Sequence, residues 1–248
     1  HLYADLSMKD TKQYGEGWCW DDKNPVLTPL LVGGKDIFMA RFLDALTSHG
    51  VYVDATIDEK RKPIDAFCIV NRFHTIDQIL MRMLKESNNL YAEAMYYQIA
   101  ASTGNHPASA KSARNVERRL VDKIGLDASR YKFADGSGLS LYNYVSAELE
   151  VKMLRYAYKN DNIRHHLMPA LPIAGVDGTL KKRMKGTFTR DNVKAKTGTV
   201  TGISSLAGYC QAANGHTLCF AIINQGVMHG RNGRAFQDRV CNALCAPN

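Results

Sequence analysis

The chain has 248 residues, of which 45% are hydrophobic and 23% are charged. These values exclude a disordered chain and are ordinary for a globular protein of one large or two modest domains. The formal net charge of +8 favours anionic surroundings without identifying a partner. Polar residues interrupt the longest charge-free run, residues 197–230, which therefore predicts buried strands and no transmembrane segment. Because residue 1 is His1 and not Met, the sequence predicts a fragment whose native N-terminus has been removed.

Apolar residues at helical spacing predict a largely helical first two-thirds of the chain, after an irregular stretch over residues 1–34. A helix is predicted over residues 36–48, followed by two short β-rich runs over 51–53 and 66–70. Thr75 and Gln78 form a capping box that begins a second helix, whose buried apolar stripe continues toward Ser87. Four further helices are predicted, over residues 90–101, 109–124, 146–158 and 162–167.

The last third of the chain is predicted to be mainly a sheet. Three strands are expected over residues 193–199, 204–212 and 216–224, and a terminal helix over 234–244. Helices early in the chain and a strand meander late favour an α+β fold, in which helices flank an antiparallel sheet beside a helical subdomain.

Six cysteines raise the question of disulfides and metal. Asn214-Gly215 predicts a two-residue hairpin turn, which would place Cys210 directly opposite Cys219. A disulfide there would imply an oxidising compartment, and two small buried thiols are an equally good interpretation. Cys241 and Cys245 are one helical turn apart, too far for an unstrained disulfide, and no cysteine spacing fits a zinc site.

Several common catalytic motifs do not occur in the sequence. It has no zinc-binding His-Glu-x-x-His, no Gly-x-Ser-x-Gly elbow, no phosphate-binding glycine loop and no dinucleotide fingerprint, and its eight histidines are scattered. We therefore expect no metal and no organic cofactor.

Short polar blocks at the ends of predicted elements remain as candidates for chemistry. Ser87-Asn88-Asn89 lies at a helix junction, residues 135–140 form a Gly/Ser loop, and Lys196-Thr197-Gly198-Thr199 lies on a strand. Alternation along the strand puts Thr197 and Thr199 on one face, and Gly198 would let a ligand approach the backbone. Such a strand suits a carboxylate. Taken singly, Ser87 and Asn89 are better interpreted as helix caps and Lys196 as a solvated strand lysine.

The order of these blocks resembles a known family. Ser-x-Asn followed by Lys-Thr-Gly is similar to two-thirds of the signature of penicillin-binding proteins and serine β-lactamases. The resemblance extends over longer blocks, at residues 17–22, 87–93, 135–140, 175–180 and 195–199. Together they resemble the low-molecular-mass class C penicillin-binding proteins, the D-alanyl-D-alanine carboxypeptidase/endopeptidases of peptidase family S13.

The resemblance implies a DD-peptidase/β-lactamase-like fold, with residues 1–248 as the C-terminal part of one penicillin-binding domain. It implies acyl transfer on the D-Ala-D-Ala stem peptides of peptidoglycan, in the periplasm or cell envelope, and reaction with β-lactam antibiotics. Ser87 would relay a proton beside the positively charged Lys196, and the Asn89 amide would bind the peptide carbonyl. Thr197 and Thr199 would meet the terminal carboxylate, with the Thr199 N–H as half of an oxyanion hole.

One element of the family signature is expected outside this sequence. The nucleophile of the family lies in a Ser-x-x-Lys motif upstream of the other blocks, and the one such spacing here, Ser129 to Lys132, lies downstream of Ser-x-Asn with no apolar helix after it. We therefore reject Ser129 and expect the nucleophile upstream of His1. The fragment alone should not react covalently with penicillin, whereas the complete protein should.

Two other functional classes stay open at this stage. A non-catalytic peptidoglycan-binding protein could keep the same cleft without a nucleophile. The basic cluster over residues 181–185 suggests a nucleic-acid-binding domain, but no recognisable binding motif accompanies it, so we expect no nucleic-acid partner. The sequence leaves open the preference for carboxypeptidase or endopeptidase activity, the stem-peptide specificity and the oligomeric state.

Overall fold

The computed structural model describes residues 1–18, 26–54, 57–186 and 188–247. These residues form an α+β fold with five strands and seven α-helices. The strands are β1 (Leu2–Ala4), β2 (Ile57–Glu59), β3 (Lys194–Val200), β4 (Ile203–Gln211) and β5 (Thr217–Gln225). The helices are α1 (Phe38–Ser48), α2 (Ile76–Leu80), α3 (Asn89–Ala101), α4 (Ala110–Lys123), α5 (Ala147–Lys159), α6 (Asp161–Ala170) and α7 (Gly230–Cys245). A π-helical turn over Met81–Lys85 continues α2. Among the described residues, no helix has the length and apolar composition to cross a membrane.

The main sheet is antiparallel, with the order β3-β4-β5, and helices cover both of its faces. On one face, Leu206 of β4 and Phe220 of β5 pack with α7 in a buried core. On the other face, the Tyr209 hydroxyl donates to the Leu154 carbonyl of α5 at 2.8 Å. This arrangement confirms the predicted antiparallel sheet flanked by helices.

Strand β3 forms one edge of the sheet. At its start, the Ala195 N–H donates outward to the Pro172 carbonyl at 2.9 Å, and the Val193 carbonyl accepts from Ala174 N–H at 2.9 Å. Because backbone groups alternate in direction along a strand, the N–H and C=O groups of Thr197 and Thr199 also face outward. The outer edge of β3 is therefore bound to the chain at one end and open to a ligand at the other.

Side-chain caps begin the helices of this region, and the Thr75 capping box is one that the sequence predicts. Thr75 forms the complete capping box with Gln78, and Ser109 and Ser146 cap α4 and α5 by accepting backbone N–H groups. Helices α3 and α4 pack around Tyr96, Tyr97 and Ala100 in a second buried core. The prediction that the apolar stripe of α2 is buried is wrong. No α2 residue is fully buried, and Ile76 is 42% exposed.

The two early strands are not where the sequence predicts them. Residues 51–53 and 66–70 are not strands, and Phe67 and Ile69 are largely exposed. Instead β1, in the stretch predicted to be irregular, pairs in parallel with β2. β-branched and aromatic residues form a strand only where the backbone finds a partner edge, and in this region that edge lies beside 57–59.

The hairpin between β4 and β5 is shifted by one residue from its predicted register. Cys210 lies opposite Leu218, and Cys219 lies opposite Tyr209. The turn has three residues, closed by the Ala212 N–H donating to the His216 carbonyl, with Gly215 at φ +83°. A slip of one residue moves side chains to opposite faces, so the predicted Cys210–Cys219 pairing is wrong.

Candidate active site

Ser87 and Lys196, predicted from separate blocks of the sequence, meet between the helical region and the edge of the sheet. The Lys196 Nζ donates to Ser87 Oγ at 2.8 Å and to the Thr197 carbonyl at 2.5 Å. Ser87 lies between the π-helical turn and α3, with its backbone in the left-handed region at φ +54°. The cap of α3 is Asn88, whose side chain accepts from the Tyr91 N–H at 3.2 Å. Capping therefore explains neither Ser87 nor Asn89.

Burial sets the electrostatics of the lysine. Desolvation lowers the pKa of Lys196 from 10.5 to about 8, because the charged ammonium is less stable away from water. Within the part of the chain that the structure describes, no carboxylate forms an ion pair with it. Lys196 thus presents a positive charge near neutral pH whose protein partners are a hydroxyl and a carbonyl, which leaves it able to attract an anionic ligand.

A tight turn joins the Ser87 junction to the strand. Asp177 accepts from the Lys85 ammonium at 2.6 Å and from the Ile173 N–H at 2.8 Å. Next to it, the Thr197 hydroxyl donates to the Thr179 hydroxyl at 3.0 Å. These contacts hold the end of the π-helical turn against β3. Sequence reasoning assigned no role to Lys85, Asp177 or Thr179, although the polar 175–180 block was a signal for the latter two.

Gly178 is needed for this turn to approach the helix. Its φ is +54°, and a Cβ atom there would lie 2.8 Å from the Lys85 carbonyl oxygen. Any other residue would be strained in the backbone and would push Lys85 away from Asp177. The turn therefore depends on this glycine.

The strand carries its candidate residues on both faces and on its edge. Thr197 and Thr199 share one face, as predicted, whereas Lys196 lies on the other and reaches Ser87 around the open edge. Gly198 pairs with Ser205 of β4, and a Cβ atom at Gly198 would overlap the Ser205 hydroxyl. This glycine is thus explained by packing inside the sheet, in addition to any approach by a ligand. Thr199 is exposed at the open end of the edge.

Asn89 is the first residue of α3, two positions after Ser87, and is partly exposed. Its amide makes no hydrogen bond to the described residues, so it is available to a ligand. One turn later, Glu93 is 1% exposed and accepts from the N–H groups of Gly136 and Ser137, at 3.1 and 2.7 Å. Burial raises the pKa of Glu93, and these hydrogen bonds anchor the 135–140 loop to α3.

The same loop is tied to the N-terminal block. Asp135 accepts from Trp18 Nε1 at 2.7 Å and from the Ser140 N–H at 2.7 Å. Residues 19–22 of that block lie outside the described residues. The blocks at residues 18, 87–93 and 135–140 are therefore one structural unit that supports the start of α3.

Ser129 is not arranged as a nucleophile. It is exposed, and its hydroxyl donates to Asp127 Oδ1 at 2.6 Å. The Lys132 ammonium lies 3.8 Å from a Glu16 carboxylate oxygen. A serine engaged with a carboxylate, with its lysine paired elsewhere, has the geometry of a surface turn.

Comparison with known proteins identifies close likenesses. The profile of the D-Ala-D-Ala carboxypeptidase 3 (S13) family matches residues 32–244. A D-alanyl-D-alanine carboxypeptidase DacB of Haemophilus influenzae is 33% identical over 235 residues, which cover 93% of this chain and 49% of that protein. A D-alanyl-D-alanine carboxypeptidase of an Actinomadura species is 35% identical over 194 residues, covering 75% of this chain and 36% of that protein.

Solved structures of penicillin-binding proteins are similar to this chain. Penicillin binding protein 4 (dacB) of Haemophilus influenzae, solved in complex with a novel β-lactam, superposes with a TM-score of 0.75 at 27% identity. The superposition covers 85% of this chain and 50% of that one. The chain thus spans between about a third and half of the length of these relatives.

Proposed function

The chain belongs to the D-Ala-D-Ala carboxypeptidase 3 (S13) family, the low-molecular-mass class C penicillin-binding proteins, and from this membership we propose that it carries part of a serine-type D-alanyl-D-alanine carboxypeptidase site. This part comprises Ser87 and Asn89 at the helix junction and Lys196 to Thr199 on the strand. The observation that carries the proposal is the 2.8 Å hydrogen bond between Lys196 Nζ and Ser87 Oγ, which joins two motifs 109 residues apart.

Ser87 is suited to pass a proton to the leaving amine. Its oxygen accepts from the Lys196 ammonium, so its own hydroxyl hydrogen is free to point at another acceptor. A positive charge beside the hydroxyl stabilises the serine oxygen as its proton leaves. When D-alanine departs, Ser87 donates to the amine nitrogen and Lys196 lowers the cost of that transfer.

The open edge of β3 is suited to bind the substrate. The hydroxyls of Thr197 and Thr199, with the nearby Lys196 charge, would bind the carboxylate of the terminal D-alanine. For this the Thr197 hydroxyl would turn its hydrogen away from Thr179. The Thr199 N–H faces the open edge and would supply half of the oxyanion hole, and the free Asn89 amide would donate to a peptide carbonyl. Gly198 keeps this segment in the sheet without a side chain in the way.

The nucleophilic serine, we propose, belongs to a Ser-x-x-Lys segment that is not among these 248 residues. The support is that Ser129 is bound to Asp127 and Lys132 is near Glu16. The complete protein would act on peptidoglycan stem peptides, and hence in the periplasm or cell envelope, and would be acylated there by β-lactams.

Covalent labelling with a fluorescent penicillin tests this function. We expect chain 1–248 to stay unlabelled and the complete gene product to be labelled. Lys196→Ala in the complete product should slow labelling about 100-fold, because proton transfer loses its charged partner. The matched control is Lys194→Ala, two residues earlier on the same strand face, which should label at the normal rate.

Two results with the complete product would contradict the proposal. One is labelling of Lys196→Ala at the rate of the parent protein. The other is a complete product that binds peptidoglycan but never forms an acyl-enzyme, which would favour a non-catalytic binding protein. Labelling of chain 1–248 itself, abolished by Ser129→Ala, would show that the nucleophile had been wrongly rejected.

A further inference from the structure

Three cysteine side chains cluster between the sheet and the last helix, away from the candidate active site. Cys210 lies on β4, and Cys241 and Cys245 lie on the last two turns of α7. All three are buried in one apolar core, with exposures of 2%, 0% and 4%. Each is a free thiol in this structure.

The register of α7 on β4 places Cys245 against Cys210. At the start of the contact, Gln237 Nε2 donates to the Ser204 hydroxyl at 3.0 Å, and a Cβ atom at Gly233 would lie 2.9 Å from Ser204 Cβ. From Ser204 to Cys210 the strand rises about 20 Å, and from Gly233 to Cys245 the helix rises about 18 Å. The two lengths match, so Cys245 lies at the level of Cys210, and both side chains lie in the same buried core.

We propose that Cys210 and Cys245 form a disulfide that fastens the C-terminal end of α7 to β4 when the chain folds in the presence of a disulfide oxidant. One thiolate attacks the oxidant, forms a mixed disulfide and releases one thiol. The second thiolate then displaces the remaining half of the oxidant as a second thiol. Two cysteine thiols and one disulfide thus give one cysteine disulfide and two thiols, with both protons carried away by the released thiols.

The bond forms before α7 is fully docked. Burial raises the pKa of Cys210 to about 12, so the folded chain holds little of the thiolate that reacts. The nearly complete burial of both residues also excludes an oxidant. Once formed, the bond is protected from reduction by the same burial.

Of the other cysteines that the structure describes, Cys219 and Cys68 do not compete for this bond. Cys219 lies on the opposite face of the sheet, with its sulfur 4.0 Å from the Val151 carbonyl of α5. Cys68 is exposed and lies outside the helices and strands. Cys241 is the one neighbour close enough to be confused with Cys245, so the experiment must separate the two.

Peptide mapping identifies the bonded pair without a mutation. The chain is refolded with glutathione disulfide and glutathione, alkylated, and digested with trypsin and chymotrypsin without reduction. Cleavage after Tyr209, Leu218 and Leu244 separates the cysteines into the fragments 210–218, 219–220, 240–244 and 245–248. We expect 210–218 linked to 245–248. A link from 210–218 to 240–244, or recovery of every cysteine alkylated, overturns the proposal.

Thermal unfolding provides a second measurement. The oxidised chain should melt about 5–10 °C above the reduced chain, since the crosslink restricts the unfolded state. This difference should persist in Cys219→Ala and vanish in Cys245→Ala. Equal melting temperatures for the oxidised and reduced parent chain would contradict a crosslink that stabilises α7 on the sheet.

Discussion

The Ser87 hydroxyl lies beside Lys196 because the Ser87 backbone has a conformation that residues with a Cβ atom rarely adopt. Its φ of +54° turns the chain sharply from the π-helical turn into α3. This conformation costs about 1 kcal/mol in a serine, and contacts such as the Lys85–Asp177 ion pair hold it in place. Strain at this candidate catalytic position indicates that the folded chain is less stable than it could be, and that the strained backbone directs the Ser87 hydroxyl toward Lys196.

Two substitutions at Ser87 separate strain from the loss of the hydroxyl. Ser87→Gly and Ser87→Ala both remove the hydroxyl, and only the glycine relieves the left-handed backbone. We expect Ser87→Gly to exceed Ser87→Ala in free energy of unfolding by about 1 kcal/mol, measured by urea denaturation. At Ser102, where φ is −62°, the same pair should show the opposite order. If Ser87→Ala is as stable as Ser87→Gly, the Ser87 backbone is not strained.

Lys196 should make the stability of the chain depend on pH. Its pKa is about 8 in the folded chain and 10.5 as the ordinary value, so between these values the unfolded chain holds a proton that the folded chain has lost. Stability therefore rises with pH across that window, and below pH 8 the buried ammonium is a cost. Lys196→Met should raise the free energy of unfolding at pH 7 by up to about 3 kcal/mol, and the gain should largely disappear by pH 10.5.

The control for this pH dependence lies on the same strand. Lys194→Met removes a lysine from the same face of β3 and should not produce a gain confined to pH 7. Urea denaturation of both variants at pH 7 and pH 10.5 makes the comparison. A gain in Lys196→Met of equal size at both pH values would show that packing, and not the charge, is responsible.

At the scale of single elements, the close approach of β3 and β4 depends on glycine. Gly208 lies opposite Ala195, and a Cβ atom there would overlap the Lys194 carbonyl oxygen and lie 2.5 Å from Ala195 Cα. Backbone cannot rotate away as a side chain can. The position of Lys196, the next residue along β3, is therefore set partly by the missing side chain at Gly208.

Alanine at the two glycines of this strand pair should have unequal effects. Gly208→Ala should lower the free energy of unfolding by about 2–3 kcal/mol, because β3 must move. Gly198→Ala meets only the Ser205 hydroxyl, which can rotate, and should cost about 1 kcal/mol. Adding Ser205→Ala should recover most of the loss at Gly198 and none at Gly208. Equal losses, measured by urea denaturation, would contradict this distinction between backbone and side-chain neighbours.

Elements defined by local chemistry could be predicted from the sequence, and those defined by a distant partner could not. The Thr75 capping box is a local set of hydrogen bonds and was predicted correctly, and Ser109 and Ser146, the predicted first residues of two helices, are their caps. The β-rich run over 66–70 has the composition of a strand and no partner edge among the described residues. The hairpin had a correct location but a register one residue off, because Asn214-Gly215 fits a two-residue or a three-residue turn.

The meeting of Ser87 with Lys196 could not be predicted from periodicity or spacing. Neither residue has a local signal beyond a short polar block, and the expectation that they act together came from family resemblance. Lys85 was missed because it looks like an ordinary helix-terminal lysine, and its partner Asp177 is 92 positions away. Long-range ion pairs of this kind leave no pattern in a single sequence.

At the scale of the whole molecule, the start of α3 is supported by hydrogen bonds that cross most of the sequence. Glu93 holds the 135–140 loop, and Asp135 in that loop holds Trp18, 117 residues earlier. Asp135 accepts four hydrogen bonds from the described residues, with Trp18 and the Ser140 N–H on one oxygen and the Gly138 N–H and the Asn143 amide on the other. Each of these donors is paired with a carboxylate oxygen of Asp135.

Asp135→Asn should therefore be more damaging than its small change in shape suggests. Whichever way the new amide turns, its NH₂ group faces two donors, so two hydrogen bonds are lost and their partners stay buried. We expect the free energy of unfolding to fall by about 3 kcal/mol, measured by urea denaturation with far-UV circular dichroism. Trp18→Phe removes a single donor and leaves Ser140 on the same oxygen, so it should cost only about 1 kcal/mol. If the asparagine variant were as stable as the phenylalanine variant, the carboxylate would not be the centre that joins these distant parts of the chain.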